Sequence, residues 1–170
     1  FPSILSLMRP IPPERHIYAM TDTDLEMFVR EWLENKKSEY VEVERFTGTG
    51  DLGRDVVGYL STKRHEGGWH NYQCKQYGKA LPLAVGLCEI GKILYNAHRG
   101  EFTAPTAFFF VAPRGVVRSF QALISKPSEF QTMLIEKWSE YCEAKISEAV
   151  RIPLDAGLRA FIERWDFSKI

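Results

Sequence analysis

The stretch "GTGDLGRDVVGYL", residues 48–60, decides how the chain is read. Gly48-x-Gly50-x-x-Gly53 has the spacing of a dinucleotide-binding loop. Such a loop must open a helix, whose first amides hold the pyrophosphate. Here Arg54 is followed by Asp55-Val56-Val57-Gly58-Tyr59-Leu60, in which paired β-branched residues and an aromatic favour a strand. The glycines are therefore expected to form a backbone-permissive turn between two strands, with Asp51 bonding local backbone. That turn delivers Asp55 to the start of the second strand.

The pattern on either side of this turn sets the architecture. Thr23 with Glu26 has capping-box spacing, and Leu25, Phe28, Val29, Trp32 and Leu33 give one helical stripe, ending near Lys36-Lys37. Val41 and Val43 alternate with Glu42 and Glu44, which predicts a first strand reaching Phe46. After the polar loop of residues 61–69, "HNYQCKQY" (70–77) alternates as a third strand, with Gln73 and Lys75 on one face. Pro82 introduces a helix carrying Leu83, Leu87, Ile90 and Leu94 that stops at Gly100. "TAFFFVA" (106–112) reads as a strand covered on both faces. Helical spacing then runs through residues 116–124, 128–149 and 155–165, while residues 1–19, with four of the nine prolines, read as an irregular lead-in. The fold class is α/β: a mixed sheet flanked by helices with a helical C-terminal part, in which the third and fourth strands run parallel around a crossover helix.

Bulk composition bounds the rest. A chain of 170 residues, 45% hydrophobic, suits one domain, with a core at about 21–112 and an extension at 113–170. The first residue is phenylalanine, which leaves room for a longer parent chain. The 22 basic and 22 acidic residues cancel, excluding a polybasic protein but not local basic patches. No apolar run approaches a membrane span and no signal-peptide pattern opens the chain, so a soluble, cytoplasmic protein is expected. Cys74, Cys88 and Cys142 have no metal-ligand or disulfide-framework spacing, and His16, His65, His70 and His98 show none either.

Asp55 at the start of the second strand and Gln73 and Lys75 on the third can meet on one sheet face. A carboxylate, an amide oxygen and an ammonium are the groups that metal-assisted phosphodiester hydrolysis uses, since Mg²⁺ takes oxygen ligands and a lysine can orient water or stabilise developing charge. Gly50-Asp51-x-Gly53-x-Asp55 followed by Gln73-Cys74-Lys75 resembles the core of the PD-(D/E)XK nuclease superfamily, specifically its Mrr-like restriction endonuclease branch. The resemblance covers about residues 21–112. It implies a restriction-endonuclease-like fold, Asp55, Gln73 and Glu26 around Mg²⁺ (or Mn²⁺ in its place), Lys75 as the catalytic lysine, and double-stranded DNA as substrate. It also implies a bacterial restriction or anti-phage setting, with self-association or a fused sensor domain. Gln73 stands where most of the superfamily has an acid, which agrees with the Mrr branch.

Each site residue keeps a structural rival. Asp55 can be a turn residue, Lys75 a solvated edge charge, and Glu26 the acid of a capping box. Lys63 and Arg64 in the hairpin loop, and Arg114 and Arg118 after the fourth strand, are the candidate DNA contacts, with the amides after Gly115 a further phosphate seat. Trp69, Tyr72 and Tyr77 can stack on bases or fill the core. Beside the nuclease stand a non-catalytic module of the same fold that binds nucleic acid or protein, and a nucleotide-binding protein built on the Gly48 turn.

Overall fold

The computed structural model describes residues 10–36 and 39–170. Four strands, β1 (Glu42–Arg45), β2 (Val56–Tyr59), β3 (Trp69–Cys74) and β4 (Ala107–Val111), form one sheet in the order β1-β2-β3-β4. The first two pairings are antiparallel, with Val57 opposite Asn71, and β3 pairs with β4 in parallel, with Tyr72 opposite Phe109. Helix α1 (Pro13–Tyr18) and helix α2 (Asp22–Asn35) precede the sheet, and α3 (Leu83–His98) makes the crossover from β3 to β4. Four helices follow: α4 (Arg118–Ile124), α5 (Pro127–Glu136), α6 (Trp138–Tyr141) and α7 (Ala156–Arg164). The expected mixed α/β architecture, parallel pair included, is the observed one. Among the described residues, no helix is long and apolar enough to cross a membrane.

Alternation along the strands builds two cores. Val56, Tyr72 and Cys74 face α2, where Leu25, Val29 and Leu33 cover them together with Tyr40 from the segment before β1. Val57, Tyr59 and Trp69 point to the other face, onto Leu87, Ile90 and Leu94 of α3. Phe120, Phe130, Leu134, Trp138, Leu158 and Ile162 from the C-terminal helices complete that second core, so the extension packs directly on the crossover helix.

Several expectations need correction. The lead-in contains a helix, α1, begun by Pro13 at its first position, where the missing N–H costs nothing; residues 1–9 lie outside the described part. The capping box belongs to Thr21 and Asp24, two positions earlier than expected: Asp24 N–H donates to Thr21 Oγ1 at 3.1 Å and Thr21 N–H to Asp24 Oδ2 at 3.0 Å. Starting there places Asp22 and Asp24 against the positive end of the helix. Lys36 caps the far end of α2, and Lys37 lies outside the described residues. Phe28 and Trp32, assigned to the buried stripe, are exposed, because Leu25, Val29 and Leu33 at four-residue spacing already fill the contact with the sheet. The segment 128–149 is broken at Lys137, where the backbone leaves the helix and buried Trp138 donates its indole N–H to Ile152 O at 2.8 Å. β4 is an edge strand, and Phe109 is 40% exposed on it.

Gly86 records how closely the C-terminal part is packed: a Cβ there would lie 2.2 Å from Cε1 and Cζ of buried Phe120. Gly86→Ala should therefore destabilise the chain by about 1–3 kcal/mol through overpacking. Gly78→Ala, with nothing within 4 Å, should leave the urea midpoint nearly unchanged. Equal midpoints for the two variants would refute the close contact between α3 and α4.

Candidate active site

The turn after β1 is built to place Asp55. Gly48 and Gly53 have φ of +78° and +93°, and Leu52 sits in the left-handed region at +53°, so the chain reverses within a few residues. Asp51 Oδ1 accepts from Gly53 N–H at 2.9 Å, the local bond expected of it. Arg54 locks the turn from inside: Nε donates to Asp51 O at 2.8 Å and Nη2 to Gly50 O at 3.1 Å. Its guanidinium lies 4.0 Å from the Phe46 ring centre and 4.7 Å from that of Phe102. The segment after Gly53 runs into β2, not a helix, which removes the structural basis for a dinucleotide loop.

Asp55 stands one residue before β2, opposite the end of β3. Its Oδ2 accepts from Gln73 Nε2 and from Cys74 N–H, each at 2.8 Å. Oδ1 has no hydrogen-bond partner among the described residues and is not sealed from solvent. Burial pushes the Asp55 carboxyl up to about 7; the Cys74 N–H and the Lys75 charge pull the other way, while Glu26 and Glu89 add to the rise. Gln73 is buried, and its oxygen accepts from Asn71 Nδ2 at 3.2 Å. The amide nitrogen of Gln73 thus faces the carboxylate, so its oxygen would reach a cation beside Asp55 only after the amide turned over.

Lys75 continues the β3–β4 ladder, donating its N–H to Val111 O at 2.9 Å. Its Nζ pairs with Glu89 Oε1 on α3 at 2.9 Å, with side-chain exposures of 21% and 14%. Burial lowers the lysine pKa, but Glu89 and then Asp55 outweigh it, so the net shift is upward and the ammonium form is favoured. Lys75 is therefore not a solvated edge charge. Glu89 was absent from the sequence reading, although a signal for it existed: it is the one acid in α3, LAVGLCEIGKILYNAH. Glu26 does no capping. It pairs with Arg45 across α2 and β1 at 2.8 Å, on the other side of the sheet from Glu89.

The candidate ligands are thus near enough for Asp55 to feel both glutamates. Even so, among the described residues no three His, Cys, Asp or Glu side chains come together to hold a metal ion. The candidate DNA contacts divide. Arg114 and Arg118 are exposed just beyond the end of β4 that meets Lys75, Arg114 lying 4.5 Å from the Tyr18 ring centre. Lys63 and Arg64 follow the opposite end of β2, and Arg64 is already paired with Glu42 at 3.2 Å and with Glu44. Trp69 is fully buried and donates to Thr103 O at 2.9 Å; Tyr72 is buried against Tyr40 at 2.6 Å between hydroxyls. Both are core residues. His65 is half-buried in the sheet's loop and its pKa is lowered to about 4, first by burial and then by Arg54.

Compared with protein-family models, curated proteins and solved structures, the chain matches none.

The Asp55 environment has a stability signature. An aspartate titrates near 3.9 in an unfolded chain, so the folded state holds a proton that the unfolded state releases as pH rises from there to about 7. Stability contributed by this group is present at low pH and lost through that window. Asp55→Asn keeps an acceptor for Cys74 N–H without the charge. With EDTA present, the variant should gain on the native chain by on the order of a few kcal/mol between pH 5 and pH 8 in urea denaturation. A pH-independent difference would mean that Asp55 titrates normally.

Proposed function

We propose that this chain is a metal-dependent endonuclease domain that hydrolyses phosphodiester bonds of double-stranded DNA, in the cytoplasm, as part of restriction-type or anti-phage defence. The observation that carries the reading is Asp55: one carboxylate oxygen is fixed by Gln73 and Cys74, the other is open, and Lys75 stands on the adjoining end of β3. Gln73-Cys74-Lys75 thereby supplies both the brace for the acid and the cation next to it. DNA as substrate, and the defence setting, rest on the sequence resemblance.

Mg²⁺ suits an open oxygen of this kind, since it is commonly held by one or two carboxylates, retained waters and substrate phosphate in place of a complete protein cage. When bound, it would polarise the phosphoryl oxygen and favour ionisation of an attacking water. Asp55 would be the first ligand, Glu26 the second acid once released from Arg45, and Gln73 a ligand with its amide reversed. The protein's own part is then clear. Gln73 and the Cys74 amide hold Asp55 in one orientation, Lys75 supplies positive charge at the reacting phosphate, and Glu89 fixes where that charge sits. Arg114 and Arg118, exposed at the same end of the sheet, would be the cations that meet flanking phosphates.

A second reading draws on a specific feature: Glu26 and Lys75 both have internal ion partners, as a binding module that had lost chemistry would allow. Plasmid cleavage separates the two. With Mg²⁺ and high protein concentration, the native chain should nick supercoiled DNA, EDTA should stop it, and Asp55→Ala and Lys75→Ala should each lose about a hundredfold or more. Salt-sensitive DNA binding without cutting by the native chain would favour the module. Equal cutting by all three proteins would remove both residues from the mechanism.

A further inference from the structure

The nuclease reading leaves two cysteines unused, and they meet at the packing of α3 against α6. Cys142, at the end of α6, is fully buried, with its Sγ 3.9 Å from Leu87 O. A Cβ added at Gly91 would lie 2.9 Å from the same sulfur, so the absence of a side chain at 91 makes the notch that receives it. Leu87 and Gly91 bracket Cys88, and residues 88 and 91 share a helix face by their three-residue spacing. The Cys142 sulfur therefore rests on the turn of α3 that carries the Cys88 thiol. Cys88 is not sealed in: it lines a pocket of about 130 Å³ with Ala84, Val85, Glu89, Tyr141 and Lys145.

We propose that Cys88 and Cys142 form an oxidant-sensing pair, in which Cys88 is the thiol attacked by a hydroperoxide and Cys142 resolves it to an intrachain disulfide. The two have the division of labour such a pair requires, one thiol open to solvent and one buried beside it. The Cys88 thiol is also shifted toward its thiolate, chiefly by the neighbouring Cys142 thiol and then by the charges of Lys92 and Lys145, which together outweigh burial and the Glu89 carboxylate. Cys142 is shifted the opposite way by the neighbouring Cys88 thiol and by burial, which keeps its proton until the second step. Cys74, the remaining cysteine, is buried and held protonated by burial.

The chemistry balances with hydrogen peroxide as oxidant. Cys88 sulfur attacks one peroxide oxygen, the O–O bond breaks, and sulfenic acid and water result. Cys142 sulfur then displaces the sulfenic hydroxyl, which leaves as a second water with the Cys142 proton. Two thiols are oxidised and one peroxide is reduced to two waters.

The test is brief exposure of the full chain to hydrogen peroxide, denaturation in N-ethylmaleimide, and peptide mass mapping. The expected result is a Cys88–Cys142 linked peptide, reversed by dithiothreitol, with Cys74 alkylated and consumed at least about tenfold more slowly than Cys88. In Cys142→Ser, oxidised Cys88 should accumulate as a dimedone adduct, and in Cys88→Ser, Cys142 should stay reduced. The linkage in the native chain can be read whether or not either variant folds. Linkage of Cys88 to Cys74 or to another chain, or equal oxidation of Cys88 and Cys74, overturns the assignment.

Discussion

One side chain substitutes for backbone at the end of the sheet. The Cys74 N–H is bonded by the Asp55 carboxylate, which also takes the Gln73 amide. This joins the turn after β1, the start of β2 and the end of β3 at a single oxygen. A hydrogen bond to a charged acceptor is worth roughly 1.5–3 kcal/mol. Burial of the same carboxylate works against it, and the upward shift of Asp55 to about 7 says that desolvation dominates. A carboxylate kept where it would rather be neutral is a common mark of a functional position, although structural networks produce it too. Here the carboxylate also lies within the electrostatic reach of Lys75.

Topology explains why the lysine has a fixed partner. Parallel pairing of β3 with β4 requires a long connection, and a right-handed crossover helix is the economical form. Helix α3 therefore crosses the face of the sheet to which Asn71, Gln73 and Lys75 point, and Glu89 arrives opposite Lys75. A lysine with 21% side-chain exposure is poorly solvated, so removing Glu89 would leave a costly charge. Asp55, Lys75 and Glu89 thus act as a coupled set: Lys75 lowers the Asp55 proton affinity while Glu89 raises it. The balance keeps a charged lysine next to an acid whose proton affinity is raised.

Much of this is legible in the sequence. The switch from helical period to alternation, the β-branched pair after Arg54 and the crossover helix fixed the architecture, because each reports a local preference that packing reinforced. Asp55, Gln73 and Lys75 were legible as a group through register: the period of two puts 73 and 75 on one face, and a hairpin brings 55 opposite. What failed depended on competition or on distance. Two Thr-x-x-acid patterns overlapped at the start of α2, and only the three-dimensional start of the helix chose between them. Phe28 and Trp32 were legible as apolar but not as surplus, since sequence does not report how wide a face the sheet offers. Glu89 required knowing that α3 lies over β3. The hairpin cations looked available in sequence because Glu42 and Glu44, which pair with Arg64, are twenty or so residues away in the chain.

The glycine turn shows how polarity settles what spacing leaves ambiguous. A phosphate loop presents amide N–H groups to an anion, with a helix dipole behind them. This turn does the reverse around its interior. The carbonyls of Gly50 and Asp51 point inward and are satisfied by Arg54, a residue only 7% exposed whose guanidinium lies between Phe46 and Phe102. Its third arm meets His65 Nε2 at 2.8 Å, and a histidine whose proton affinity is depressed to about 4 stays neutral and can accept that bond. Arg54 thus satisfies both carbonyls and reaches the imidazole, whose buried Nδ1 has no partner among the described residues, and the turn directs a cation, not amide N–H groups, into its interior. The same spacing of glycines that elsewhere receives a pyrophosphate here serves a buried arginine, and the residue after that arginine is Asp55.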